Sequence, residues 1–145
     1  MKIDEYEKLT GKSLGNITLL KIIGTGSMGV VFVGYQNSLK RKVAVKILPR
    51  ELNDEKRREK FREEAELVAG LDHPNINMIF EIGEEEGYFF QVMKLITGGD
   101  LDKMIKKRRR HPVPSKRVLP LEKTLEMISQ ILDGLAYAHE EEIIH

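Results

Sequence analysis

Three short runs rich in β-branched residues stand close together between Ile17 and Leu48, and they constrain the fold more than any other feature of the sequence. The runs are ITLLKII, VVFVGY and KVAVKIL, with a glycine-rich turn after the first and the polar turn QNSLKR after the second. Such residues favour strands, and short turns between them favour antiparallel hairpins. The segment therefore predicts three consecutive antiparallel strands.

A helix and two further strands are predicted after this block. Asn53 is predicted to cap a helix with an acidic first turn that runs to about Ala69. Residues 77–82 and 87–94 have the composition of strands and flank the acidic turn GEEEG. The order of three strands, one helix and two strands predicts an α+β fold, in which a helix packs on a five-stranded antiparallel sheet.

The two ends of the chain differ from this central part. Residues 1–16 are polar without a strong pattern, and we interpret them as a leader. Residues 101–109 predict a short basic helix, and after a loop broken by prolines residues 121–140 predict a long one. His139 is predicted to pack within that long helix.

The glycine-rich turn, Gly24 to Gly29, fits the pattern GxGxxG. This pattern also occurs in dinucleotide-binding turns, but there the glycines open a helix, whereas the strand-forming run VVFVGY follows them here. Glycines in a hairpin can fold their backbone over phosphates because no Cβ is in the way. An ordinary glycine-rich hairpin remains the alternative.

Lys46 lies within VAVKIL, a strand predicted to be apolar on both faces. A lysine in such a place must find an anion or reach water, because an unpaired buried charge is costly. The alternative is a lysine whose side chain extends from a sheet edge to solvent.

An acidic partner for this lysine is predicted on the following helix. Of Glu63, Glu64 and Glu66, only Glu64 lies beside the apolar stripe that contains Phe61. Glu64 is therefore predicted to face the sheet and to pair with Lys46. The other two glutamates are predicted to belong to a solvated face.

Several segments together resemble the protein kinase family. GTGSMGVVF, VAVK, FREEAELVAGLDHPNI and VMKLITGGDL occur in the order of a kinase N-lobe, and GLAYAHEEEIIH resembles the αE helix leading into an H-R-D catalytic loop. These segments are similar to those of bacterial serine/threonine kinases of the eukaryotic-like type. The resemblance divides the chain into a leader (1–16), an N-lobe with the hinge (17–96) and an incomplete C-lobe with helices αD and αE (97–145).

The resemblance implies a site for ATP as the cofactor, and roles for individual residues. Lys46 would hold the α and β phosphates and form the catalytic ion pair with Glu64. Met93 would be the gatekeeper residue, and Asp100 would bond the ribose. The backbone covering the phosphates would come from Gly24, Thr25, Gly26, Ser27, Met28 and Gly29, the packing on adenine from Val31 and Ala44, and the backbone contacts to its edge from Lys94 and Ile96. Lys94 departs from the family, which often has an acid there, but a backbone contact tolerates the change.

The resemblance places His145 as the histidine of H-R-D. The catalytic aspartate, the D-F-G aspartate and the activation segment would follow it, and with them the ligands of the Mg²⁺ that a complete kinase uses. We therefore expect this chain to hold no metal ligand and to be inactive as a transferase on its own. Whether it is part of a longer kinase or a naturally shortened one is left open.

The long helix carries an apolar stripe that a complete kinase would cover. The stripe consists of Leu121, Leu125, Ile128, Leu132 and Leu135, and Met127 and Ile131 widen it. An uncovered stripe of this kind predicts self-association as a homodimer, or cover by another protein. The alternative function is therefore a pseudokinase-like module for interaction or regulation.

Composition excludes several other classes. The net charge is +1, and the basic run Lys106 to Arg110 has no aromatic residue interleaved for stacking on bases, so nucleic acid is not the expected partner. The absence of cysteine excludes a disulfide framework. No apolar run approaches the length of a membrane span, and the predicted location is the cytoplasm.

Overall fold

The computed structural model describes residues 6–26, 29–48 and 54–143. The strands are β1 (Ser13–Leu14), β2 (Ile17–Gly26), β3 (Gly29–Gln36), β4 (Arg41–Ile47), β5 (Ile79–Glu85) and β6 (Tyr88–Lys94). The helices are α1 (Glu55–Ala69), α2 (Leu101–Arg109) and α3 (Leu121–Glu140), with a 3₁₀ turn at Pro114–Lys116. The α+β class and the order of the predicted elements are confirmed.

The strands form one antiparallel sheet in the order β1-β2-β3-β4-β6-β5. The five predicted strands are present, and the sixth is the two-residue strand β1, which pairs with the start of β2. Two register shifts interrupt β2, between Leu19 and Lys21 and between Ile22 and Gly24. Such bulges bend a strand and increase its twist, so β2 curves along the sheet.

One face of the sheet forms the main hydrophobic core. Because side chains alternate along a strand, every second residue of each central strand points into this core. Its fully buried members from the sheet are Leu14, Ile17, Leu19, Val30, Phe32, Val43, Val45, Ile47 and Val92. The residues between them on each strand point to the opposite face.

The segment interpreted as a leader contributes to this core. Tyr6, Leu9 and Leu14 are 1%, 2% and 2% exposed and belong to the same cluster as the sheet residues. The turn that follows is held to the far end of the sheet, where the carboxylate of Glu85 accepts a hydrogen bond from the Gly15 N–H. The described part of the leader is thus a packed element, which its irregular spacing of large apolar residues did not indicate.

Helix α1 is capped by Asp54, whose carboxylate accepts a hydrogen bond from the Arg57 N–H at 3.0 Å. Asn53, the predicted cap, lies outside the described residues. Phe61 and Ala65 are buried, so the predicted inward stripe is correct at these positions. The helix end near Ala69 is also confirmed.

The chain divides into two compact units: Met1–Asp72 with Asn77–Leu95, and His73–Ile76 with Ile96–His145. Within the second unit, Asp133 fixes the 73–76 segment to α3. Its carboxylate lies 3.3 Å from His73 Nε2 and accepts a hydrogen bond from the Asn75 side-chain amide at 3.2 Å. The His73 ring also stacks on Tyr137, with centroids 5.0 Å apart.

Helix α3 exposes most of its large apolar side chains. Those at least 40% exposed are Leu121, Leu125, Ile128, Ile131, Leu132 and Leu135. His139 is also exposed, so the prediction that it packs is wrong. Across residues 6–26, 29–48 and 54–143, no helix combines the length and apolarity that a membrane crossing requires.

Candidate functional site

The register of three strands brings together residues that are far apart in the sequence. Gly24 of β2 is paired with Val31 of β3, Val31 with Lys46 of β4, and Lys46 with Gln91 of β6. Directly paired residues of an antiparallel sheet point to the same side. This row therefore lies on the face opposite the main core.

A second row lies beside it on the same face. Ala44 is paired with Val33 on one side and with Met93 on the other. Since Ala44 stands two residues from Lys46, the side-chain alternation of a strand places both on one face. Ala44 is buried, while Val31 and Met93 are partly buried. The sheet residues predicted for the site thus form one continuous surface.

The glycine-rich turn is a hairpin closed by the pair Gly26 and Gly29. Gly29 has a φ of +137°, and a Cβ on it would lie 2.5 Å from the carbonyl oxygen of Ile47. Only glycine fits this position, because any side chain would collide with the neighbouring strand. Ser27 and Met28, at the tip, lie outside the described residues.

Lys46 is partly buried, and its ammonium lies 5.2 Å from the centroid of the Phe61 ring on α1. That distance is within the range of a cation–π interaction. Among the described residues, no carboxylate lies within 4 Å of this ammonium. The positive charge is therefore held at the site face without an ionic partner from the described part of the chain.

Glu64 stands on α1 three residues after Phe61, and it is partly buried while Glu63 and Glu66 are exposed. It is thus the one of the three glutamates on the side of the helix that faces the sheet. Within the described residues Lys46 and Glu64 do not form an ion pair at 4 Å. The two side chains belong to facing elements, and Lys46 contacts the helix through Phe61.

Gln91 belongs to the same face and was not predicted from the sequence. It is 4% exposed, and its side-chain amide donates a hydrogen bond of 2.9 Å to the Phe61 carbonyl oxygen. The sequence feature that could have indicated it is a single amide side chain within YFFQVMK, a run that is otherwise apolar up to its last residue. A buried amide needs a partner, so its position should have suggested a contact with the helix above.

The remaining predicted residues lie at the end of β6 and beyond it. The N–H of Lys94 donates to the Met78 carbonyl at 2.9 Å. Ile96 and Asp100 belong to the second unit, and the Ile96 side chain is exposed.

Asp100 caps helix α2. Its carboxylate accepts a hydrogen bond from the Lys103 N–H at 2.7 Å and lies 3.0 Å from the Lys103 ammonium. The backbone hydrogen bond, together with the side chain of the same lysine, holds the pKa of Asp100 below its ordinary value. The carboxylate of this exposed residue is therefore charged at neutral pH and engaged at the helix N-terminus.

Comparison with known proteins gives a consistent result. The model of the protein kinase domain family matches residues 17–145. Serine/threonine-protein kinase PrkC of Bacillus subtilis is 34% identical over 139 residues, which cover 94% of this chain and 20% of the relative. Serine/threonine-protein kinase pkn2 of Myxococcus xanthus is 35% identical over 132 residues, which cover 90% of this chain and 15% of the relative.

Solved structures agree with these relatives. The kinase domain of Mycobacterium tuberculosis PknI superposes with a TM-score of 0.75 at 26% identity. The match covers 94% of this chain and 53% of the PknI chain. The chain thus spans about half of a solved kinase domain and a much smaller share of the curated relatives.

Proposed function

Because this chain belongs to the protein kinase family, and the relatives described above are serine/threonine kinases, we propose that it forms the ATP-binding part of a bacterial serine/threonine kinase of the eukaryotic-like type. The observation that carries the proposal is the shared face of Gly24, Val31, Ala44, Lys46 and Met93. On this face an ammonium without an ionic partner from the described residues stands in line with the glycine hairpin.

The residues present fit a nucleotide phosphate. An anion approaching the hairpin backbone needs room that a Cβ would fill, and Gly24 and Gly26 leave that room. Lys46 supplies the positive charge, since a lysine ammonium attracts phosphate oxygens as a point charge. In the bound state Glu64 pairs with Lys46 from α1 and holds it in place.

The base and sugar are assigned to the remaining residues. Val31 and Ala44 pack on the adenine, with Met93 as the gatekeeper residue behind it. The family resemblance assigns the edge of the base to the backbone of Lys94 and Ile96, and the ribose to the Asp100 carboxylate. Because that carboxylate caps α2, ribose binding at Asp100 would share its oxygens with Lys103.

No metal ligand is assigned to this stretch of the kinase. The family uses Mg²⁺ with ATP, but the described residues contain no cluster of three or more His, Asp or Glu side chains that could hold a metal ion. A kinase also needs a base that accepts the proton of the substrate hydroxyl, and the resemblance assigns that base to none of these residues. We therefore expect the 145-residue chain to bind nucleotide and to transfer no phosphate by itself.

Calorimetric titration with ATP tests the nucleotide site. We expect binding in the submillimolar range for the unchanged chain and none for Lys46→Ala, since the phosphate charge then has no partner. Lys56→Ala is the matched control, because it removes the same charge from an exposed position on α1. Equal ATP affinity for Lys46→Ala and the unchanged chain would overturn the assignment of Lys46.

Phosphoryl transfer is tested separately with labelled ATP. We expect no incorporation of label into the chain itself or into a generic protein substrate. Incorporation that Lys46→Ala abolishes would show that the chain is catalytically sufficient, and the expectation of inactivity would then be wrong.

A second candidate function is favoured by the exposed apolar stripe of α3. If this face is covered by a second copy, the chain acts as a self-associating interaction or regulatory module. Light scattering at tens of micromolar tests this, and we expect a dimer mass that Leu125→Glu and Leu132→Glu reduce to that of a monomer. A monomer mass for the unchanged chain would contradict this second function.

A further inference from the structure

Two glutamines are the only buried polar residues in the described part of the chain, and they have different partners. Gln36, 6% exposed, accepts a hydrogen bond at 2.8 Å from the guanidinium of Arg41, the residue paired with it across the β3–β4 hairpin. Gln91 instead donates to the Phe61 carbonyl oxygen of α1 at 2.9 Å. The first bond stays within the sheet, while the second joins the sheet to the helix.

Phe61 makes several of the contacts between the sheet and α1, beside the Arg58–Glu84 ion pair at 3.4 Å and the Arg62 guanidinium 5.4 Å from the Phe89 ring centroid. Its carbonyl oxygen accepts the hydrogen bond from the Gln91 amide, and its ring centroid lies 5.2 Å from the Lys46 ammonium. The same ring meets Phe89 edge-on, with centroids 5.7 Å apart and planes at 68°. Since Lys46 and Gln91 are directly paired across β4 and β6, these contacts come from adjacent points of the sheet.

The Gln91 bond differs in kind from the two ring contacts. Ring contacts are satisfied over a range of separations, since aromatic pairs are favourable at centroid distances of about 4.5 to 7 Å and a cation within about 6 Å of a ring. A hydrogen bond from a buried amide to one carbonyl fixes a distance and a direction, and losing it leaves an unsatisfied polar group. The carbonyl of Phe61 belongs to the turn of α1 that contains Glu64, so this bond fixes that turn on the sheet.

We propose that Gln91 is a positioning residue, whose amide sets where α1 stands on the sheet and thereby holds Glu64 within reach of Lys46. The proposal rests on the proposed role of Lys46 as the phosphate ligand. Gln91 does not touch the nucleotide itself in this account. It acts through the helix, so its loss is expected to change the position of α1 and the affinity for ATP together.

The test compares Gln91→Met with the matched variant Gln36→Met. Both replace a buried glutamine of the same sheet by an apolar side chain of similar length, but only the first removes a bond to α1. We expect Gln91→Met to weaken ATP binding about twofold to tenfold in calorimetry, the range corresponding to one hydrogen bond. Gln36→Met is expected to lower the unfolding midpoint in urea without changing the ATP affinity.

A second measurement follows the helix directly, without any nucleotide. The chain has no cysteine, so Glu59→Cys on α1 and Lys42→Cys on β4 give two unique spin-label sites, both at exposed positions. We expect one narrow distance distribution in the parent and in Gln36→Met, and a broadened or shifted one in Gln91→Met. Gln91→Asn, which keeps the amide on a shorter side chain, is expected to fall between them.

Each outcome bears on the proposal. An unchanged label distance in Gln91→Met, or equal distances in the Met and Asn variants, would overturn it. If Gln91→Met fails to fold, the label distance in Gln91→Asn is compared with that in the parent, and an unchanged distance overturns the proposal. If the unchanged chain binds no ATP, the proposed function fails, while the label distances still decide whether Gln91 positions α1.

Discussion

The two units of this chain differ in how their apolar side chains are placed. Every buried hydrophobic residue in the described part of the chain belongs to the first unit, where the sheet and the 6–14 segment enclose the core. In the second unit α3 is long and amphipathic, yet six of its large apolar side chains are at least 40% exposed. Regular secondary structure and a closed core are therefore separate properties in this chain.

The two units differ in how much of the apolar surface of their side chains is removed from water. Burial contributes about 25 cal/mol per Å² of apolar surface, and a side chain that stays in water contributes little of it. The second unit is organised instead by polar and ring contacts around Asp133, His73 and Tyr137. We expect the first unit to determine the cooperative unfolding of the chain.

The contrast is largest for single apolar side chains. Phe32→Ala, at a position 0% exposed in the middle of the sheet, is expected to cost about 3 to 5 kcal/mol. Leu132→Ala on α3, where the side chain is 59% exposed, should change the free energy of unfolding of the monomer by less than about 0.5 kcal/mol. Urea unfolding measures both, and similar losses would show that the stripe on α3 is buried in solution.

A substitution in the 6–14 segment tests whether this segment belongs to the core of the first unit. Leu9→Ala should cost about 2 to 5 kcal/mol, because a fully buried leucine leaves a cavity behind it. Leu39→Ala is the control, since Leu39 lies in the β3–β4 turn and is 61% exposed. If both variants unfold at the urea concentration of the unchanged chain, the segment is not part of the core.

A glycine-to-alanine change is expected to have opposite signs in the two units. In the first, Gly29→Ala places a methyl group against the Ile47 carbonyl and should cost about 1 to 3 kcal/mol. In the second, the nearest atom to a Cβ on Gly134 is 3.4 Å away on Asn75, an ordinary contact. Gly134→Ala should therefore stabilise α3 by about 0.5 to 1 kcal/mol, since glycine within a helix is unfavourable.

Thermal unfolding followed by circular dichroism checks these signs. Gly29→Ala should lower the melting temperature and Gly134→Ala should raise it. A loss of stability in both variants would mean that α3 is packed more tightly around Gly134 than its contacts indicate.

The smallest expected effect is the pH dependence of the α2 cap. Because contact with Lys103 lowers the pKa of Asp100 in the folded state, its stabilisation is present above the unfolded pKa. That stabilisation is lost as the pH falls through the folded pKa. We expect the Lys103 amide signal in NMR spectra to titrate below the ordinary pKa of an aspartate, and Asp100→Asn to remove this titration. Asp54→Asn, at the cap of α1, should leave the Lys103 signal unchanged.

The sequence alone was sufficient for the order of the elements in the centre of the chain. Runs such as VVFVGY and KVAVKIL have strong strand propensity, and the stripe containing Phe61 has helical spacing, so local pattern and final structure agree there. The packing of the 6–14 segment was not predicted, because Tyr6, Leu9 and Leu14 follow no single period. Their burial depends on the sheet they pack against, which a local pattern does not contain.

The candidate site could be predicted from the sequence only in part. Lys46 and Glu64 could be singled out as a charge in an apolar strand and an acid beside an apolar stripe. That Val31, Lys46 and Gln91 share one row depends on strand pairing, and their separation along the chain does not reveal it. The contacts between α1 and the sheet, those of Phe61 among them, join residues that are distant in the sequence, and no spacing rule predicts them.

The two outer strands of the sheet have a consequence for association between chains. An edge strand exposes unpaired backbone groups, to which the strand of another molecule can add. Strand β1 is only two residues long, and the opposite edge, β5, carries Glu81, Glu84 and Glu85. The acidic side chains discourage intermolecular β-pairing along β5, whereas β1 covers only the start of β2. Among the described strands, none but β3 pairs with residues 20–26 of β2, so this stretch is the edge at which a strand of another molecule could add.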